Sequence, residues 1–214
     1  MHALIAGASG LVGSQLLKLL LDDPRAKQVT SIGRRKLEVF NSKLQQISID
    51  FAKLDSLETP SYDVAFCCLG TTIKVAGSQE AFRRVDHDYV ISFGQMAKRA
   101  GVRKFLLVSA LGADASSAVF YSRTKGETEN DLEALDFESL VIARPSLLLG
   151  HRDEVRLGEK LAITLTPILS PLLMGPLAAY KPVQASQVAK GLVEKAFSTT
   201  RTIEILSNSE MIKL

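Results

Sequence analysis

Short apolar runs alternate with longer amphipathic stretches through the first two thirds of the chain. His2–Ala6 is a compact apolar segment stopped by glycine, and it predicts a strand. Leu11–Leu21 follows with Leu11, Leu16, Leu17, Leu20 and Leu21 on a helical period, and Pro24 stops it. Gln28–Ile32 predicts a second strand and Leu44–Ile49 a third, which ends at Asp50. Val64–Leu69 is continuously apolar, the pattern of a strand buried on both faces. Ser78–Ala100 predicts one long helix that stops at Gly101. Strands over Lys104–Val108, Ser139–Ala143 and Thr202–Leu206, with helices over Ser122–Leu135 and Gln187–Phe197, complete the order.

Strands alternating with helices predict an α/β fold, a Rossmann-type doubly wound parallel sheet with helices on both faces. No internal repeat or low-complexity linker interrupts it. Near residue 146 the alternation gives way to a proline-rich apolar segment. The expectation is a single domain over residues 1–214, with residues 147–214 forming a small C-terminal cap.

Composition narrows the function classes. Of 214 residues, 46% are hydrophobic and 23% charged, which is enough apolar material for a core and excludes a disordered or fibrous chain. The net charge of +3 is spread along the sequence, so no nucleic-acid surface is expected. Three histidines leave little for a metal site. The two cysteines, Cys67 and Cys68, are adjacent, which suits neither a disulfide nor zinc and points to a reducing, cytoplasmic setting. The first residues lack the basic and apolar regions of a secretory signal. Between Lys160 and Lys181 lie 20 uncharged residues, long enough to span a bilayer. Pro167, Pro171 and Pro176 break that stretch, so the reading is not a membrane span. A pocket cover or a homodimer contact fits it better.

The first turn carries the strongest motif. Gly7-Ala8-Ser9-Gly10-Leu11-Val12-Gly13 has the spacing GxxGxxG between a strand and a helix. Gly7 permits the tight turn, Gly10 lets the backbone approach a pyrophosphate, and Gly13 allows close helix–strand packing. Backbone N–H groups from Ser9 and Gly10 through Leu11, Val12 and Gly13 would supply the partial positive charge of a helix start. A dinucleotide is the expected ligand. An NAD site usually places Asp or Glu near the end of the second strand. Here Arg34, Arg35 and Lys36 stand there, with no carboxylate before Glu38. Arginine suits a 2′-phosphate, so NADP(H) is expected in preference to NAD(H), with Arg34 the nearer candidate.

Tyr121 and Lys125 form YxxxK at the start of a predicted helix and share one face of it. A lysine charge beside a phenol favours the phenolate, and such a tyrosine can exchange a proton with a carbinol oxygen. Ser109 ends a predicted strand, in the crevice where open α/β sheets bind ligands. Ser109, Tyr121 and Lys125 are therefore the catalytic candidates, with Tyr121 and Lys125 also expected against the cofactor, where Lys125 would position the ribose.

These residues resemble the extended short-chain dehydrogenase/reductase superfamily, of which the chain looks like an atypical, short member. GxxGxxG, Asp50, CCLGTT over Cys67–Thr72, Ser109, Tyr121, Lys125 and Arg144-Pro145-Ser146 match in order. VSALGAD, YSRTKGE, RVDHDYV and RPSLLLG are similar to the Tat-interacting-protein-like oxidoreductase group and its bacterial relatives. The resemblance implies Gly7, Gly10 and Gly13 at the pyrophosphate and Arg34 and Arg35 at the 2′-phosphate. It places Asp50 and Phe51 near the adenine, and Leu69, Gly70 and Thr71 along the cofactor. Arg144, Pro145 and Ser146 would run beside the nicotinamide. One departure is Asp86, at a position the superfamily often fills with Asn. Another is the short C-terminal region, which implies a small or shared substrate site.

Other residues read more plainly. Cys67 and Cys68 are expected to be buried structural thiols. His87 is expected on an exposed helix face, Arg83 and Arg84 solvated and paired with Glu80 or Asp88, and Lys74 near phosphate or in solvent. His151 has no assigned role. The leading expectation is an NADP(H)-dependent oxidoreductase acting on an apolar carbonyl or alcohol. One rival is an NADP(H)-binding redox sensor without turnover. A second is an epimerase or dehydratase, which the short C-terminal region disfavours.

Overall fold

Successive residues of a strand point to opposite sides, and in the central strands of this chain both sides are apolar. The computed structural model describes residues 1–150, 180–198 and 202–214. His151, the proline-rich stretch and much of the expected cap lie outside the described residues. The strands β1 (His2–Ala6), β2 (Gln28–Gly33), β3 (Leu44–Ser48), β4 (Val64–Cys67), β5 (Lys104–Val108) and β6 (Ser139–Arg144) all pair in parallel. A short parallel pair, β7 (Leu148–Leu149) and β8 (Val183–Gln184), stands apart from them. β9 (Ile203–Ser207) adds to the far edge of β6, giving the order β3-β2-β1-β4-β5-β6-β9. The first six follow the doubly wound order in which the sheet reverses direction beside the first strand.

Helices cover both faces. α1 (Leu11–Asp22) and α6 (Ala185–Ser198) lie on one side, where Ile5, Phe66, Leu106 and Val141 meet Leu16, Leu20, Val188 and Leu192. The other side receives Leu4, Ala65, Phe105, Leu107 and Ile142, packed on Phe93 and Met96 of α4 (Tyr89–Arg99) and Leu132 of α5 (Phe120–Glu133). In β5 alone, Leu106 and Val108 go one way, while Phe105 and Leu107 go the other. This explains why its sequence reads as an unbroken apolar run. Among the described residues no helix is long and apolar enough to cross a membrane.

The one long helix expected over Ser78–Ala100 is divided. α2 (Ile73–Ala76) precedes α3 (Gln79–Arg83), which runs into a single wide π turn at Arg84–Asp88 before α4 begins. The turn inserts an extra residue and carries Asp86 inward, where it is 1% exposed. Two other short elements escaped the hydrophobic pattern. A 3₁₀ turn, Phe51–Ser56, is capped by the Asp50 carboxylate, and α7 (Asn208–Met211) is closed by a Ser207/Glu210 capping box.

α5 is seated by a backbone-to-backbone approach at Gly126. A Cβ there would lie 2.1 Å from the Ala115 nitrogen and 2.3 Å from the Asp114 carbonyl carbon. Neither atom can move without displacing the loop after β5. Gly126→Ala should therefore cost about 1–3 kcal/mol by overpacking. The check is the thermal unfolding midpoint, which must fall; an unchanged midpoint contradicts the packing described.

Candidate functional site

The carboxyl ends of the central strands converge on the turn after β1. Gly7 has φ +82, and a Cβ on it would lie 2.5 Å from the carbonyl carbon and oxygen of Cys68. Gly13 is tighter still, since its Cβ would lie 2.1 Å from the Gly7 oxygen. Both positions exclude any side chain. α1 begins at Gly10 without a side-chain cap and without an acid in its first turn. Its leading N–H groups are thus uncommitted to a cap, which suits an anion.

At the end of β2, Arg34 and Arg35 are exposed and have no ion-pair partner among the described residues. Asp50 is spent on capping, since its carboxylate accepts from the Ala52 N–H at 3.1 Å. Phe51 is 4% exposed, and its ring stacks on Tyr89 at 5.7 Å within the α4-side core.

The segment after β4 links the glycine turn to α5. Cys68 and Leu69 cover Gly7, and Gly70 follows. A Cβ on Gly70 would lie 3.3 Å from Asp86 Oδ1 and 3.8 Å from Lys125 Nζ. Asp86 Oδ1 and Lys125 Nζ meet at 2.7 Å, with the lysine side chain only 7% exposed. The other carboxylate oxygen accepts the Thr71 N–H at 2.8 Å. Burial pushes the Lys125 ammonium down; the Asp86 carboxylate, helped by Tyr121 one helical turn earlier, outweighs it and holds the group above the ordinary lysine range. Tyr121 is half-buried, its ring tilted against Phe82 at 5.5 Å.

Ser109 is differently engaged. It is 6% exposed and donates its hydroxyl proton to Glu129, a 4% exposed carboxylate on α5. Glu129 also receives Arg144, whose Nε lies 3.2 Å from both carboxylate oxygens. Arg144 thus stands at the end of β6 in a fixed plane, and it adds to the Ser116 hydroxyl and N–H in holding the Asp114 carboxyl below its usual range. Ser146 is tied by its N–H to Asn208 at 3.0 Å and by its hydroxyl to the Lys181 carbonyl. Pro145 is buried, and its carbonyl accepts the Leu111 N–H at 2.8 Å.

The structure brings Lys125, Gly70 and Thr71 together around Asp86, with Tyr121 facing Lys125 from one helical turn earlier, and gathers Ser109 and Arg144 around Glu129. The sequence reading missed Glu129. Its signal was spacing, because Tyr121, Lys125 and Glu129 recur every fourth residue on α5. Two surface expectations change. His87 is not on a free face: its side chain is 12% exposed, with Nδ1 2.8 Å from Asp88 and Nε2 2.8 Å from Asp131 of α5. Arg84 pairs with Glu80 as expected, but Arg83 crosses to Glu127 of α5. Lys74 is exposed. No group of metal-ligating side chains occurs among the described residues.

A family model described as NAD(P)H-binding matches residues 7–160. Protein HTATIP2 of Rattus norvegicus is 46% identical over 164 residues, covering 74% of this chain and 67% of its own. The mitochondrial protein FMP52 of Candida albicans is 37% identical over 203 residues, covering 92% of this chain and 88% of its own. Among solved structures, MoeE5 in complex with UDP-glucose and NAD superposes with a TM-score of 0.71 at 17% identity, over 100% of this chain and 80% of that one. A UDP-glucose 4-epimerase from Thermotoga maritima gives 0.71 at 15%, over 97% and 77%. These last two are likenesses of fold. The resemblance drawn from the sequence motifs holds.

Cys67 is buried as expected, which pushes its thiol up to about 12; Cys68 is only half-buried, and partial desolvation raises its thiol as well. Only the thiolate reacts with disulfide reagents. At about pH 8 the native protein should therefore release almost no chromophore from an aromatic disulfide reagent, and both thiols should titrate once denaturant is added. A stoichiometric native reaction would contradict the burial.

Proposed function

The chain belongs to the NAD(P)H-binding family, and on that premise we propose that it is an NADP(H)-dependent oxidoreductase acting on a carbonyl or alcohol substrate. The observation that carries this reading is the continuous contact from the glycine turn to the tyrosine helix. Gly7 lies under Cys68 and Leu69, Gly70 lies beside Lys125, and Tyr121 stands one helical turn before it. This contact supports a reading in which a cofactor cradle and a proton-transfer pair share one crevice.

The residues fit the cofactor. The side-chain-free surfaces of Gly7, Gly10 and Gly13 and the N–H groups from Ser9 to Gly13 would hold its pyrophosphate. Arg34 and Arg35, exposed and unpaired among the described residues, would take a 2′-phosphate, which supports NADP(H) over NAD(H). Asp50 would serve through its backbone surroundings, since its side chain caps a turn. Leu69, Gly70, Thr71 and the Arg144-Pro145-Ser146 segment would line the remainder. When bound, the nicotinamide supplies or accepts the hydride. Tyr121 gives its hydroxyl proton to the carbonyl oxygen in reduction and takes it back in oxidation. Lys125 stabilises the negative oxygen left on Tyr121. The Ser109 hydroxyl is engaged as a hydrogen-bond donor to Glu129, so it meets a ligand through its lone pairs.

That last point also favours a second reading, a cofactor-dependent sensor without turnover, because Tyr121 then lacks a second donor to polarise a carbonyl. The cytoplasmic setting expected from the cysteines has no support from the relatives, several of which are named mitochondrial.

Two substitutions test the proposal. Arg34→Ala should weaken NADPH roughly tenfold or more, the loss of one charge-assisted bond, and leave NADH unchanged in calorimetry. Equal effects on both cofactors would remove the 2′-phosphate assignment. Tyr121→Phe should lower NADPH oxidation with a carbonyl panel by about 10²–10⁴-fold while NADPH affinity stays near wild type. Tight NADPH binding by the wild type with no oxidation of any carbonyl would select the sensor.

A further inference from the structure

Lys125 has almost no water to carry its charge. Its side chain is 7% exposed and that of Asp86 is 1% exposed. Asp86 reaches it only because the π turn carries residue 86 inward. Three contacts then fix Asp86. Lys125 sits on Oδ1 at 2.7 Å, and the Thr71 N–H sits on Oδ2 at 2.8 Å. The Thr128 hydroxyl lies 3.0 Å from the backbone carbonyl of Asp86. The titratable groups facing the ammonium are Asp86 from the π turn, Tyr121 from α5 and Cys67 from β4. The Cys67 thiol is pushed up to about 12 by burial and is neutral at ordinary pH. The counter-charge on Lys125 is therefore Asp86.

We propose that Asp86 is a positioning residue that keeps Lys125 charged and seated against the Gly70–Thr71 turn, in a pocket too dry to hold a lysine charge alone. The proposal rests on the reading of Tyr121 and Lys125 as the proton-transfer pair. An isolated buried ammonium gives up its proton in preference to remaining charged. A neutral amine at Lys125 would do nothing for a negative oxygen on Tyr121. The same carboxylate grips the Thr71 N–H, so one side chain sets both the charge on α5 and the position of the turn beside it. A lysine held above its ordinary range keeps the stabilisation at every pH below its unfolded value and loses it only as pH rises through the raised one. The pair is thus intact across the neutral range.

The direct test labels lysine Cε with carbon-13 in the apo protein and follows the resonance that Lys125→Met removes. In the wild type it should keep its ammonium shift from about pH 6 to about pH 10. In Asp86→Asn it should titrate roughly two pH units lower or more. NADPH-dependent turnover of that variant should be down about tenfold or more near pH 8 and should recover as the pH is lowered, which a simple packing defect would not do. Asp86→Glu should keep the ammonium shift. A resonance in Asp86→Asn that titrates as in the wild type overturns the proposal.

A buried unpaired lysine can also unfold the variant, so stability supplies a second arm. Asp86→Asn/Lys125→Met removes both charges and should melt higher than either single variant. A double variant no more stable than both singles overturns the coupling. If the wild type oxidises NADPH with no carbonyl, the oxidoreductase reading falls, while the resonance and the melting cycle still decide what Asp86 does for Lys125.

Discussion

The tightest constraint on this molecule is the approach of three backbone segments at the end of β1. The Gly7 oxygen occupies the space where a side chain at residue 13 would begin, and the Cys68 carbonyl occupies the space above Gly7. β1 is the centre of the sheet, paired to β2 on one side and β4 on the other. The angle at which α1 leaves it fixes where the helix N-terminus points, and so where an anion can be held. The same approach brings the segment after β4 over the turn, which places Gly70 within reach of α5. A loss of glycine here would shift the helix, the sheet centre and the crevice together, because they share the same atoms.

Around that turn the molecule spends two buried carboxylates on one helix. Asp86 and Glu129 both meet cations and hydroxyl or amide donors near α5, and each ties it to a different part of the sheet. Asp86 joins Lys125 to the turn after β4, while Glu129 joins the ends of β5 and β6 through Ser109 and Arg144. Buried ion pairs contribute little net stability relative to apolar packing, but they tolerate few alternative geometries. Their effect is to fix donors and acceptors in direction: Ser109 offers lone pairs, Arg144 keeps a plane, and Lys125 keeps a place.

The seven strands of the main sheet were legible because each is short and bounded by glycine, charge or a helix start, and the central β1, β4 and β5 are apolar on both faces. β1 and β5 match their expected bounds, and β4 ends at Cys67, earlier than Leu69, since the chain must turn over Gly7. The glycine motif could be read because only glycine satisfies its geometry. The π turn was not legible: Ser78–Ala100 keeps a helical period throughout, and the extra residue is set by the tertiary partners of Asp86. Glu129 was hidden for the same reason. In sequence it is one acid among several on a polar helix, and only the fold brings Ser109 and Arg144 to it from the ends of the strands on either side of that helix. His87 was misplaced because its partner Asp131 lies 44 residues on.

The order of the sheet also bears on how the polypeptide is assembled as it leaves the ribosome. The first six strands are all synthesised once Arg144 is reached, and each after β1 pairs with a neighbour already made. β9 joins last, on an outer edge, with Leu206 meeting Ala143 after a further 63 residues. A parallel sheet is slow to form because its pairings are distant in the chain. Here every pairing from β2 to β6 can form with a strand already made, and only the last edge depends on a distant segment. Until β9 is in place, the outer row of amide and carbonyl groups on β6 has no partner in the sheet.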